Sequence, residues 1–104
     1  MQLYPLKLVT VVGETVIMDD IAKEGLELGA SGYTMSEVSG QGSRGARTAI
    51  LTGSSKTMKV EFVVPMDVAE RILRHVSHAY FEHYACIAWL ADVQVVRGQA
   101  YVAP

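Results

Sequence analysis

The feature that most constrains this chain is the order in which hydrophobic periodicities follow one another along its 104 residues. A short, β-branched run, Leu6–Val12, precedes a segment, Thr15–Leu28, whose apolar residues recur at three- and four-residue steps. Strands have a side-chain period of two and amphipathic helices a period of about 3.6, so the two segments predict a strand and then a helix. The same alternation returns later and predicts the element order βαββαβ.

Three further strands are predicted, each with a recognisable boundary. Tyr33–Ser39 alternates with period two and ends before Gly40. Met58–Val64 alternates in the same way and is stopped by Pro65, which has no backbone N–H to donate. The last strand is predicted over the apolar run Cys86–Val96.

Both predicted helices carry boundary signals. Gly29 follows the first helix at the position where a C-terminal glycine is common. Asp67 and Glu70 match a capping box that begins the second helix, with Asp67 as the N-cap. The apolar stripe predicted for the second helix consists of Val68, Ile72, Val76 and Ala79.

This element order predicts an α+β, ferredoxin-like fold in a single domain, residues 1–104. Right-handed crossovers place both helices on one face of a four-stranded antiparallel sheet. The strands carry apolar side chains on both faces, whereas the two helices cover only one. We therefore expect the other face to be buried against further copies of the chain.

Composition excludes several classes of protein. Half of the residues are apolar, which excludes a disordered chain, and 9 basic against 11 acidic residues give a net charge of −2. A general nucleic-acid binder needs a basic excess, so no nucleic-acid partner is expected. The single cysteine, Cys86, cannot form an intramolecular disulfide, and no apolar run approaches the roughly 18 residues of a membrane helix. We expect a cytoplasmic protein with no direct membrane insertion.

The segment Gly40–Lys56 is the strongest functional candidate. It contains four glycines, three serines and no acidic residue, and long connections in compact domains are usually functional or disordered. Its first residues, Gly40–Gly45, match G-x-G-x-x-G, but no amphipathic helix follows, which excludes a Rossmann site. A P-loop is excluded because Gly45 is followed by Ala-Arg instead of Lys and Ser or Thr.

Two interpretations of this segment remain. Closely spaced glycines let backbone N–H groups approach an anion, and Arg44 and Arg47 supply charge-assisted phosphate contacts. Alternatively, the segment is a flexible, solvated loop.

Other chemistry-bearing residues give weaker signals. His75, His78 and Glu82 share one face of the second helix and have the spacing of metal ligands, but a polar stripe opposite an apolar one is more often a solvated face. No metal site is therefore predicted. Cys86 is interpreted as a buried small side chain. No nucleophile–base pair is recognisable, which favours binding over catalysis.

Two segments resemble the PII signal-transduction family. Gly32–Gly42 and Lys59–Val64, with the long loop between them, are similar to its G-x-T-V-x-E-V-x-G-x-G and K-x-E-x-V-V motifs, which flank the T-loop. The resemblance spans nearly the whole chain. It implies a homotrimer that binds adenine nucleotides in the clefts between subunits and contacts targets through a flexible T-loop, about residues 40–56.

Finer features resemble one branch of that family. Gly42-Ser43-Arg44 with Arg47, and the aromatic Tyr-Ala-x-Ile segment, are similar to the PII-like proteins of inorganic-carbon uptake, which include SbtB and the carboxysome-associated proteins. Members of this branch sense AMP, ADP, ATP or cyclic AMP, and some bind bicarbonate. Tyr80–Ala85 lacks the Gly/Lys-rich phosphate-binding loop of other PII proteins, and the T-loop has no tyrosine.

The resemblance also implies roles for individual residues. Thr34 contacts the adenine, Gly40 and Gly42 lie by the ribose or phosphates, and the full nucleotide set is Thr34, Gly40, Gly42, Ser43, Arg44, Arg47, Val63 and Arg97. For bicarbonate, the implied residues are Gly42, Ser43 and Arg44. The implied partner is a bicarbonate transporter or a carboxysome-associated target, with membrane association only through the transporter. No covalent cofactor or metal is implied.

Two other functions remain open. A small hydrolase of the acylphosphatase type uses the same fold with an arginine and an anion loop, although it normally places them after the first strand, where this chain has Gly13-Glu14-Thr15. A trimeric metal-binding protein of the CutA type also shares the architecture, and it uses His or Cys.

Overall fold

The computed structural model describes residues 1–40 and 57–101. The elements in these ranges are β1 (Leu3–Glu14), α1 (Thr15–Glu27), β2 (Thr34–Val38), β3 (Thr57–Val64), α2 (Met66–Tyr80), β4 (Cys86–Val96) and a 3-10 helix (Gly98–Tyr101). The predicted order βαββαβ is confirmed. The apolar run Ala49-Ile50-Leu51, for which the sequence predicts a brief strand pairing, lies outside the described residues.

The strands form one antiparallel sheet in the order β2-β3-β1-β4. β1 is central and longer than the predicted Leu6–Val12, because Leu3 already pairs with Val96 of β4. Gly13 does not end the strand, since it pairs with Met58 on one side and Cys86 on the other. Pairing with neighbouring strands, with β4 alone at Leu3 and with both β3 and β4 at Gly13, extends β1 beyond the segment that its hydrophobic pattern marks.

Both helices pack on one face of this sheet, as predicted. Alternate residues of β1 and β3 face them in register, with Val9 opposite Phe62 and Val11 opposite Val60. The side chains buried between sheet and helices include Val9, Val11, Ile17, Met18, Ile21, Val60, Phe62, Val64, Ile72, Val76 and Cys86. Cys86 is buried, in agreement with its interpretation as a small core side chain.

A glycine allows α1 to lie close to the sheet. A Cβ atom added to Gly25 would come within 2.3 Å of Cε1 of the Phe62 ring. Phe62 is fully buried, so its ring has little freedom to yield. The absence of a side chain at Gly25 is therefore needed for α1 to contact β3 at this distance.

The ends of the helices differ in how well they were predicted. Gly29 follows the C-cap of α1 with a φ of +125°, as expected for a glycine at a helix C-terminus. The capping box is wrong, because α2 begins at Met66 with Pro65 as its N-cap and no side-chain capping bond. Asp67 instead lies in the first turn of α2, where its Oδ2 is 3.5 Å from Nη1 of Arg71.

The apolar stripe of α2 ends earlier than predicted. Val68, Ile72 and Val76 are buried, but Ala79 is exposed, and the half-buried Tyr80 is the last residue of α2 to pack against the core. In the last turn of α2, Ala79 therefore faces solvent while Tyr80 still contacts the core.

The other face of the sheet, here called the open face, has no helix on it. The residues on this face include Leu6, Leu8, Thr10 and Val12 of β1, Lys59, Glu61 and Val63 of β3, Thr34 of β2, and Ile87 and Trp89 of β4. Ile87 and Trp89 are 51% and 45% exposed. Leu6 and Thr10 are buried, whereas the other residues named on this face are partly or largely exposed and accessible to a ligand or another chain.

Among residues 1–40 and 57–101, neither helix is both long and apolar enough to cross a lipid bilayer.

Candidate functional site

A cavity of about 300 Å³ lies on the open face, near the start of β2. Small-molecule sites commonly begin at about this volume, so it can hold a group of the size of a nucleobase. The lining residues are Leu8, Gly32, Tyr33, Thr34, Glu61, Val63 and Tyr101.

Strand register brings the floor of the cavity together. Thr34 of β2 pairs with Glu61 of β3, and Val63 of β3 pairs with Leu8 of β1. These four residues lie on one face of three adjacent strands. Neighbouring strands are about 4.8 Å apart, so the side chains are close together. The structure therefore joins Thr34 and Val63, two of the predicted site residues.

The charge of the cavity favours a neutral occupant. Among its lining residues, Glu61 has the one carboxylate and none is Lys or Arg. Nζ of Lys59 is 3.9 Å from Oε1 of Glu61, at the edge of the same face. A phosphate next to an acidic side chain is repelled, whereas a flat group with N–H donors can hydrogen-bond to a carboxylate.

The remaining predicted site residues have different positions. Gly40 lies just beyond β2, with no atom within 4 Å of where a Cβ would stand, so its backbone is accessible. Arg97 is exposed, has a φ of 63° and does not line the cavity. Gly42, Ser43, Arg44 and Arg47 lie outside the described residues.

The cavity and the segment 41–56 belong to opposite ends of β2. The chain leaves the sheet after Val38, which pairs with Thr57 where the chain returns. Val38 is four residues beyond Thr34, a separation of roughly 13 Å along an extended strand. A ligand that begins in the cavity and extends along β2 therefore points toward this segment.

Five lining residues were missed from the sequence. Leu8 and Glu61 could have been found from strand pairing, because Glu61 pairs with Thr34 and Leu8 pairs with Val63. Gly32 and Tyr33 directly precede Thr34. Tyr101 has no signal in the sequence, since its position depends on the path of the chain after β4.

A second polar cluster joins the two helices. Oε1 of Glu24 in α1 is 2.6 Å from Nε2 of His75 and accepts a 2.7 Å hydrogen bond from the hydroxyl of Tyr80, both in α2. Burial, and then the hydrogen bond to the Glu24 carboxylate, raise the pKa of Tyr80 above its usual range. This cluster fixes α1 against α2 on the side of the molecule away from the cavity.

The same contact separates the residues considered as metal ligands. His75 is half-buried against Glu24, whereas His78 and Glu82 are exposed. In the part of the chain that the structure describes, no three His, Cys, Asp or Glu side chains come together as a metal site.

The turn between α2 and β4 is held by a carboxylate. Oε2 of Glu14 accepts a 2.7 Å hydrogen bond from the backbone N–H of Ala85. Ala85 ends the Tyr80–Ala85 segment, where the resemblance pointed to a missing phosphate-binding loop. Its N–H is bound by an acidic side chain of the same protein, which stabilises the entry into β4.

A comparison with known families agrees with this arrangement. The model of the family described as nitrogen regulatory protein P-II matches residues 6–100. The chain belongs to this family. It is a PII-like regulatory protein, and the family is one of signalling proteins.

Solved structures are similar over nearly the whole chain. The crystal structure of a protein described as PII-like, from Thermus thermophilus, matches with a TM-score of 0.83 and 43% sequence identity. The match covers 98% of this chain and 100% of the other. CPII from Thiomonas intermedia, in a complex with ADP, AMP and acetate, is 22% identical, with a TM-score of 0.82 and coverage of 97% and 98%. CPII in a complex with ADP, AMP and bicarbonate is 24% identical, with a TM-score of 0.75 and coverage of 92% and 98%. The CPII matches show the shared fold.

Proposed function

We propose that this chain forms a homotrimeric PII-like regulator that senses adenine nucleotides together with bicarbonate. It controls inorganic-carbon uptake or fixation through a T-loop at about residues 40–56. The observation that carries the proposal is the open-face cavity, which joins Thr34 and Val63 at one end of the strand that leads into this segment.

In this proposal the adenine occupies the cavity. Its volume suits a single base, and the Glu61 carboxylate can accept a hydrogen bond from an exocyclic amino group. The ribose and phosphates lie along β2 toward Gly40 and Gly42. Ser43, Arg44 and Arg47 then hold the phosphates, and Arg97 of a neighbouring subunit completes the cleft.

The structural relatives support the choice of ligands. CPII is named in complexes with ADP, AMP and bicarbonate, and its fold matches this chain over 92% of the length in the bicarbonate complex. Bicarbonate, like phosphate, is an anion that glycine N–H groups and an arginine can bind, so Gly42, Ser43 and Arg44 are its proposed site.

The open face supports the trimer. Ile87 and Trp89 leave an exposed apolar area there, and such areas are commonly buried by association between chains. The protein acts in the cytoplasm on a bicarbonate transporter or a carboxysome-associated target, without catalysis and without a covalent cofactor. Ligand binding shifts the conformational population of the T-loop that the target recognises.

The decisive experiment is isothermal titration of the purified protein with AMP, ADP, ATP and cyclic AMP, each with and without bicarbonate. We expect micromolar affinity for at least one nucleotide and tighter binding with bicarbonate. Trp89, the one tryptophan, lies on the open face opposite Thr10, which pairs with Glu61, so its fluorescence provides a second readout. Absence of binding for all four nucleotides would overturn the proposal.

Arginine variants test the phosphate end of the site. Arg44→Ala and Arg47→Ala should each weaken ADP binding about tenfold, since charge-assisted hydrogen bonds are among the stronger ones, and should leave the trimer intact. Lys23→Ala removes an exposed cation from α1, on the opposite side of the sheet, and is the matched control. Unchanged affinity in both arginine variants would remove these residues from the site.

A further inference from the structure

Residues 97–101, which follow β4, cross the open face, and Tyr101 lines the cavity. We call residues 97–101 the C-terminal strap. β4 ends at Val96 on the edge of the sheet, and the 3-10 helix Gly98–Tyr101 follows after a single residue. Arg97 has a φ of 63°, a left-handed conformation that is uncommon for a residue with a side chain and that reverses the chain direction here. The strap therefore turns back over β1 instead of continuing away from the sheet.

A close contact at Gly98 sets the path of the strap. A Cβ atom added to Gly98 would lie 2.4 Å from Cβ of Tyr4 and 3.4 Å from Cδ1 of Leu6. The Tyr4 Cβ is attached directly to the β1 backbone and cannot move aside, so only glycine fits at this distance. The Ala100 N–H donates a 3.2 Å hydrogen bond to the Arg97 carbonyl, which closes the turn.

Because of this path, Tyr101 lies in the wall of the cavity. Tyr4, Leu6 and Leu8 alternate along the same face of β1, and the cavity floor begins at Leu8. Tyr101 lines the cavity together with Thr34 and Val63 and remains 37% exposed. The other aromatic lining residue, Tyr33, has its ring in an edge contact with Phe62 of the core, with centroids 6.4 Å apart.

We propose that Tyr101 is the aromatic side chain that packs against the base of the bound nucleotide, and that Gly98 positions it. This inference rests on the proposed function, because it assigns the base to the cavity. The Tyr33 ring already makes an edge contact with Phe62, whereas Tyr101 is brought to the cavity by a strap whose path the close contact at Gly98 fixes. Packing of a base against an aromatic ring contributes substantially to affinity and does not depend on charge.

Isothermal titration with ADP and with AMP tests this role. Tyr101→Ala should weaken both nucleotides about tenfold, in the range measured when a base-stacking aromatic is replaced by alanine. Tyr101→Phe keeps the ring and should bind within about twofold of the wild type. Tyr84→Ala is the matched control, because Tyr84 is 38% exposed but lies in the turn after α2 and not at the cavity.

Gly98→Ala tests the positioning. The added methyl group cannot fit beside Tyr4, so it should displace the strap and reproduce the loss of Tyr101→Ala. The double variant should lose no more than Tyr101→Ala alone, because both changes remove the same contact. A melting temperature close to that of the wild type shows that the variants are folded.

The outcomes separate this inference from the proposed function. If the wild type binds none of AMP, ADP, ATP and cyclic AMP, both the inference and the proposed function are overturned. If the wild type binds and Tyr101→Ala binds equally well, the role of Tyr101 alone is overturned. An equal loss for ADP and AMP supports a contact with the base, whereas a loss confined to ADP indicates a phosphate contact and contradicts the inference.

Discussion

The two faces of the sheet are built from the same strands and differ in what they contain. On the helix side, β3 contributes Val60, Phe62 and Val64, which are almost completely buried. On the open face, the intervening residues Glu61 and Val63 are only half-buried and line a cavity. Alternate residues of one strand thus pack in the core or line the cavity, because successive side chains point to opposite faces.

This separation has a practical consequence for variants. Changes on the helix side should lower the free energy of unfolding and leave the affinity of the folded protein for ADP unchanged. Changes at the cavity should weaken ADP binding and leave the free energy of unfolding unchanged. The four predictions below test it, from the largest expected effect to the smallest. Protein concentration is held constant throughout, because the apparent stability of an oligomer depends on it.

Ile72→Ala should have the largest effect. Ile72 is 1% exposed in the core between α2 and the sheet, and truncation there removes buried apolar surface and leaves a cavity. We expect a loss of about 3 kcal/mol in the free energy of unfolding, measured by chemical denaturation. ADP affinity at about 25 °C should be unchanged. Leu26→Ala, at an exposed position of α1, is the control, and an equally small effect in both variants would contradict tight packing on this side.

Gly25→Ala should destabilise by about 2 kcal/mol through overpacking, because the new Cβ would lie 2.3 Å from Cε1 of Phe62. Gly40→Ala is the matched control for stability, as no atom lies within 4 Å of its added Cβ, and it should change stability by less than about 1 kcal/mol. Similar denaturation midpoints for the two variants would show that α1 can move away from β3.

Tyr80→Phe removes one of the two contacts to Glu24 and should cost about 1 kcal/mol at neutral pH, since the cluster is partly exposed. The folded structure raises the pKa of Tyr80, so above about pH 10 the unfolded chain loses this proton first and stability falls as the pH rises. Tyr80→Phe should therefore lose less stability than the wild type between about pH 9 and about pH 11. Parallel losses in both proteins would exclude this linkage.

Thr34→Val should have the smallest effect, and on binding alone. It removes a hydroxyl from the cavity and keeps the side-chain shape, so ADP binding should weaken about fivefold with stability within about 0.5 kcal/mol of the wild type. Ser31→Ala also loses a hydroxyl but lies outside the lining residues. A large change in stability at Thr34, or an equal loss of affinity at Ser31, would break the separation between the two faces.

Local patterns predicted the elements well and their ends less well. The alternation of Met58–Val64 identified β3, and Gly29 marked the end of α1. The capping box at Asp67 failed because Pro65, whose backbone is extended, follows β3 directly and is the N-cap of α2, two residues before the predicted N-cap. His75, interpreted as part of a solvated stripe, is half-buried because α1 lies beside it with Glu24.

The candidate site was predictable only in part. Thr34 and Val63 came from the resemblance to a family, and the strand register places both at the cavity. Tyr101 could not be predicted, since a residue type alone does not show which distant residue it will meet. Gly42, Ser43, Arg44 and Arg47 remain predictions that the binding experiments will test.

The sequence by itself determined the element order and the alternation of side chains along the strands, and its motifs indicated the family. These depend on side-chain periods that follow from local backbone geometry. The tertiary structure decided which residues share a site: Thr34 beside Glu61, Glu24 beside His75, and Tyr101 at the cavity. Such contacts depend on strand register, on how closely a helix can approach the sheet and on the turn at Arg97, none of which is encoded in a local pattern.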